Sequence, residues 1–104
     1  FELKEFDKAE SYFRAVLDDW NESLSATIKA AALHGLGKVS LDLGRYENAT
    51  TFFNEAILLS KKHQLDRHLA ENIFLLGCVK MRTAEFRDAH SFYVEAESMS
   101  QRIE

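Results

Sequence analysis

Four histidines, a single cysteine, one Gly-Leu-Gly-Lys string and a spread of carboxylates are the side chains of this chain that could do chemistry. The string Gly35-Leu36-Gly37-Lys38 has the composition of a phosphate loop. Such a loop needs glycines at a strand-to-helix turn and a hydroxyl after the lysine to reach a metal ion. Here Val39 follows Lys38, the preceding spacing is wrong, and the segment lies inside a helical stretch. The glycines therefore read as helix-packing positions. His34, His63, His68 and His90 could ligate a metal, but no two are four residues apart and none begins a His-Glu-x-x-His pattern. They read as surface or locally hydrogen-bonded histidines. A reactive cysteine needs a cationic neighbourhood. Cys78 has only Arg82 at helical spacing, so it reads as a small residue lining a groove. The carboxylates, among them Glu2, Glu5, Asp7, Glu10, Asp18, Asp19, Glu85, Asp88, Glu95 and Glu97, fall beside lysines and arginines on outward helix faces. An acid–base pair needs two carboxyls in a cleft with separated affinities for the proton. The expectation is no catalysis, no cofactor and no metal.

Composition narrows the class. The chain has 104 residues, 46% hydrophobic and 29% charged, which suits one soluble domain at most. It has four glycines and no proline, which favours long helices over turn-dense β architectures. One cysteine cannot form an internal disulfide, and it fits a reducing compartment; a cytoplasmic location is expected. A net charge of −4 gives no electrostatic reason to hold nucleic acid. No apolar run reaches the roughly 18 residues of a membrane span.

The elements that carry these residues repeat. At an offset of 40, Ala9 falls on Ala49 and Ala89, Phe6 on Tyr46 and Phe86, and Phe13 on Phe53 and Tyr93. Val16 falls on Ala56 and Ala96, Leu36-Gly37 on Leu76-Gly77, and Ala30 on Ala70. Within each copy the small and aromatic positions recur at three- and four-residue steps, the period of a helix face. Helices are expected near 5–19, 23–43, 46–62, 66–83 and 86–103, after the tail of another at 1–3. In the second helix Ile28, Ala31, Ala32, Gly35 and Val39 form the expected stripe. Gly44-Arg45 breaks one helix pair, Ala84-Glu85 the next, and Lys4-Glu5 stands at the equivalent corner. Longer connections are expected from Asp18 to Glu22 and near His63 to Leu65. Asn21 or Ser23, and Asp66, are the expected N-caps. Trp20 reads as a cap over the first of those connections, with a partner-binding anchor as the alternative.

The run Leu36-Gly37, Gly44, Tyr46, Ala49, Phe53, Ala56 resembles the tetratricopeptide repeat. The next copy keeps Leu76-Gly77, Phe86, Ala89, Tyr93 and Ala96, with Ala84 in place of the corner glycine. The period of 40 exceeds the usual 34, and the proline that commonly ends helix B is absent. In this the chain is similar to the long-helix subclass of animal polarity and receptor-clustering scaffolds and of bacterial transcription-regulator sensor domains. The resemblance implies an all-α, right-handed α-α superhelix of antiparallel helix pairs, about two and a half repeats long. Residues 1–20 would be helix B of a truncated repeat, and 21–62 and 63–104 the two full ones. A piece of a longer array is expected, whose exposed end faces favour self-association.

The resemblance also implies a binding surface. Helix A lines the concave groove in this family. The positions carried over are Ala31, His34, Lys38, Leu41 and Asp42 in one repeat. In the next they are Glu71, Phe74, Cys78, Met81 and Arg82. Phe74 and Cys78 stand where chaperone-tail binders of the family hold a terminal carboxylate, so that clamp is not expected. The mixed groove suits a protein or peptide partner with apolar and acidic residues. No contact of this segment with nucleic acid or membrane is expected. The implied function is a non-catalytic scaffold or adaptor module. The alternative is a peptide- or small-ligand-sensing domain of a signalling or transcription regulator.

Overall fold

The structure, a computed structural model, describes residues 3–18 and 26–103. Its helices are α1 (Leu3–Asp18), α2 (Ala26–Asp42), α3 (Tyr46–Lys62), α4 (Asp66–Arg82) and α5 (Phe86–Ile103). The described residues contain no strand, as expected from a proline-free chain whose apolar residues recur at helical steps. Each helix packs on the next, and α4 also touches α2. That is the order of an antiparallel all-α repeat stack.

The connections are alike. The links 43–45, 63–65 and 83–85 are each three residues long. Gly44, Gln64 and Ala84, the middle residue of each, have φ of 76°, 56° and 61°. In each link the middle N–H donates to the carbonyl three residues back: Leu41 at 3.0 Å, Lys61 at 3.4 Å and Met81 at 3.2 Å. The following N–H reaches five residues back, to Ser40, Ser60 and Lys80, at 2.8–2.9 Å. This left-handed cap satisfies the orphan carbonyls of the ending helix. The last residue of each link then opens the next helix, since Ala49, Leu69 and Ala89 donate to the carbonyls of Arg45, Leu65 and Glu85.

Three expectations change here. The 63–65 connection is no longer than the corners, because the same cap closes both. Asp66 is the first residue of α4 rather than its cap; Leu65 holds that place, without a side-chain hydrogen bond. The helix expected to break at Lys4-Glu5 runs through it, since both are good helix formers. The 19–25 connection, with Asp19, Trp20, Asn21, Glu22 and Ser23, lies outside the described residues.

The core follows the repeat. Ala49, Phe53 and Ala56 are fully buried on α3, and Ala89 and Ala96 are their buried counterparts on α5. Phe53 packs with Leu41, Leu76 and Val79, so one ring ties α2, α3 and α4 together. Glycines admit the rings. A β-carbon on Gly35 would lie 2.3 Å from Phe13, one on Gly37 2.4 Å from Phe53, and one on Gly77 2.7 Å from Tyr93. The Gly-Leu-Gly-Lys string is therefore a mid-helix seat for two aromatic rings. The stripe expected on α2 needs correction. Ile28 and Ala31 are exposed, whereas Ala30, Leu33, Leu36 and Leu41 are buried. α2 is packed against α1, α3 and α4 and so buries most of its circumference.

Candidate interaction groove

A helix face that no described neighbour covers is left as a cleft. Such a cleft of about 930 Å³ opens over α2, α4 and α5. Its floor is apolar: Ala70 and Leu75 of α4 and Ala96 of α5. Phe74 and Tyr93 form its aromatic wall, with ring centroids 5.2 Å apart. Phe74 is 50% exposed, a large apolar surface for a residue in a packed helix. Charges of both signs rim the cleft, Lys38 and Arg67 against Glu71 and Glu97.

Four of the ten residues expected to face a partner meet here: His34, Lys38, Glu71 and Phe74. Leu41 does not, because Leu76 and Val79 of α4 pack over it and bury it. Ala31, Asp42, Met81 and Arg82 are exposed and do not line the cleft. Cys78 is half-buried beneath the wall, where the Tyr93 hydroxyl donates to its sulfur at 3.6 Å. Burial first, and that bond second, push the Tyr93 phenol up to about 12. It therefore stays a neutral donor.

His34 departs most from expectation. It is half-buried, lies edge-on to Phe53 at 6.4 Å, and bonds Asn72 of α4 at 3.3 Å. Asn72 is fully buried and its amide nitrogen donates to the His68 carbonyl at 2.7 Å. Its oxygen is then left to accept from His34 Nδ1, which fixes the neutral tautomer and leaves Nε2 as an acceptor. Burial lowers the His34 pKa below its ordinary range, and the bond to Asn72 opposes that.

Sequence reasoning missed Asn72, Arg67, Tyr93, Glu97 and Ser100 as residues of this region. A signal for Asn72 was present. It stands three residues after Leu69 and four before Leu76, on an otherwise apolar face. For the α5 residues the signal lay in the repeat itself, as the positions equivalent to Phe53, Ile57 and Ser60.

Two of the outward carboxylates, Glu10 and Glu85, pair with cations. Glu10 holds Arg14 at 3.0 Å and Arg45 at 3.2 Å, joining α1 to the start of α3. Glu85 accepts from the Thr83 hydroxyl at 2.6 Å and from Lys80 at 3.3 Å, and both bonds lower its pKa. Among the described residues no group of His, Cys, Asp or Glu could hold a metal ion. No helix among them is long and apolar enough to cross a membrane.

No curated protein and no solved structure matches the chain. A family model does: the tetratricopeptide repeat matches residues 1–62. The 40-residue register carries the same positions on through α4 and α5. Repeated helix pairs, glycine-seated rings and the matching family model together place the chain in the tetratricopeptide repeat family.

Proposed function

We propose that this chain is a non-catalytic protein-interaction module that holds a peptide segment of a partner in the cleft over α2, α4 and α5. The observation that carries this reading is the exposed Phe74–Tyr93 wall above an apolar floor, rimmed by Lys38 and Arg67. A large exposed apolar surface inside a concavity is a binding signature. Mixed rim charges select register more than they add affinity. α2 and α4 are braced on both sides by neighbours, so little of their conformational entropy is lost on association. Membership of a family of interaction scaffolds supports the same reading.

The test uses peptides selected by display against the wild-type chain. Their affinity is compared with that for the double variant Lys38→Glu with Arg67→Glu. Both side chains are exposed, so helicity and melting temperature should be nearly unchanged. At least tenfold weaker binding is expected. Equal affinity refutes the cleft as the binding surface.

A further inference from the structure

The two positions that join α2 to α4 are polar, whereas their equivalents in the repeat are apolar. At an offset of 40, His34 falls on Phe74 and Asn72 on Ala32. The helix pattern therefore requires no polar residue at either place. His34 and Asn72 nevertheless meet at 3.3 Å, with Asn72 fully buried. The bond ties two helices of different pairs, α2 of α2–α3 and α4 of α4–α5. Between those pairs the chain runs only through the short link 63–65. His34 and Asn72 thus stand at the joint between two helix pairs.

A titratable ring at a joint ties packing to protonation. Neutral His34 gives its Nδ1–H to Asn72 and leaves Nε2 bare. Protonation keeps that bond, adds a second N–H and puts a full charge on the ring. The closed joint withholds water from that charge, and this burial is the largest influence on the ring. Lys38 of α2 and His68 of α4 also oppose the charge, while the Asn72 bond and Glu71 of α4 favour it. Glu71 is exposed, so water screens its help. α3 presents the uncharged Phe53, edge-on at 6.4 Å. Among the described residues no charge of α1 acts on the ring. Separating α4 from α2 lets water onto the imidazole, so the open joint holds a proton more tightly than the closed one. A proton then favours the open joint, as any ligand favours the state that binds it better.

We propose that the His34–Asn72 contact is an acid-sensitive joint: protonation of His34 loosens α4 from α2 while the helices themselves stay formed. The loosening sets in as pH falls below 6.5, the ordinary value of the ring, and is complete below the lower value of the closed joint. α2 gives His34 and Lys38 to the cleft, and α4 gives Arg67, Glu71 and Phe74. The same motion therefore separates two walls of the cleft. The joint lies within the described helices and does not depend on what the cleft holds.

The side-chain amide of Asn72 reports the joint, because it is fully buried only while α4 is seated. Its hydrogen exchange is followed by NMR in the 104-residue chain from pH about 7.5 down to about 5, across the window of the ring. Each rate is divided by that of the exposed Asn54 amide at the same pH. The resulting protection should fall by about tenfold for each unit by which the closed joint lowers the His34 pKa. The midpoint of the fall should match the titration of the His34 ring in the same samples. Protection should stay level in His34→Gln, which offers Asn72 an amide N–H and cannot titrate. It should fall as in the wild type in His68→Gln. Level protection in the wild type overturns the proposal, as does a fall whose midpoint differs from that of the ring. An equal fall in His34→Gln, or a fall lost in His68→Gln, overturns it too. A fall that coincides with loss of helical circular dichroism is global acid unfolding and also overturns it. Should His34→Gln fail to fold, His34→Phe takes its place, the ring found at the equivalent Phe74.

Discussion

Gly37 and Phe53 occupy one another's space: a β-carbon on the glycine would stand 2.4 Å from Cε1 of the ring. The glycine is therefore retained in mid-helix against its own propensity. Alanine there would gain about 1 kcal/mol of helix propensity. It would also overpack a fully buried ring, at a typical cost of roughly 1–3 kcal/mol. Gly37→Ala should be destabilising on balance, read as a lower urea midpoint. Phe53→Ala should lose roughly 3–5 kcal/mol. Because the pair shares one volume, the double variant should lose less than the sum of the two. Strict additivity would show that the ring does not set the need for glycine.

The left-handed caps suggest the opposite kind of change. Ala84 sits at φ 61° where the equivalent corner has Gly44 at φ 76°. A side chain in that region costs about 1–2 kcal/mol relative to glycine's freedom there. Ala84→Gly should raise the melting temperature, and Gly44→Ala should lower it. Thermal melts of the two variants check both directions.

Ser60 is fully buried and its hydroxyl has no hydrogen-bond partner. An unsatisfied buried polar group costs roughly 1–3 kcal/mol. Ser60→Ala removes the hydroxyl and leaves the carbonyl that accepts from Leu65 in place. Unchanged or higher stability to urea is expected. A clear loss would show that the hydroxyl is paired in solution.

His34 makes stability depend on pH. Burial holds its pKa in the folded chain below the ordinary 6.5. Between the folded and unfolded values the unfolded chain binds the extra proton, so stability rises with pH. The His34 contribution is full above about 6.5 and is lost as pH falls through the window towards the folded value. Urea midpoints at descending pH should decline more steeply for the wild type than for His34→Gln, which cannot titrate. Parallel declines would place the effect elsewhere.

Much of the fold was legible in the sequence. The 40-residue register, the helical steps of Tyr46, Ala49, Phe53 and Ala56, and the absence of proline all describe local or repeated chemistry. A helix face depends only on spacing, and a repeat only on self-similarity, so both survive in one dimension. The same register marked Gly37 and Gly77 as close-approach positions before any ring could be assigned to them.

Other features were decided only by tertiary structure. Leu41 was expected on the groove and lies buried, because Leu76 and Val79, 35 and 38 residues later in the chain, pack over it. Ile28 and Ala31 of the expected stripe are exposed, while Ala30, Leu33, Leu36 and Leu41 of α2 are buried by helices on several sides. His34 becomes a half-buried partner of Asn72 only because α4 is laid across α2. The cleft itself joins α2, α4 and α5, and its aromatic wall takes one ring from α4 and one from α5. Spacing along a helix states which residues share a face. Which neighbour covers that face is a property of three-dimensional packing, so the repeat was readable from the residues and the binding surface only from the assembled helices.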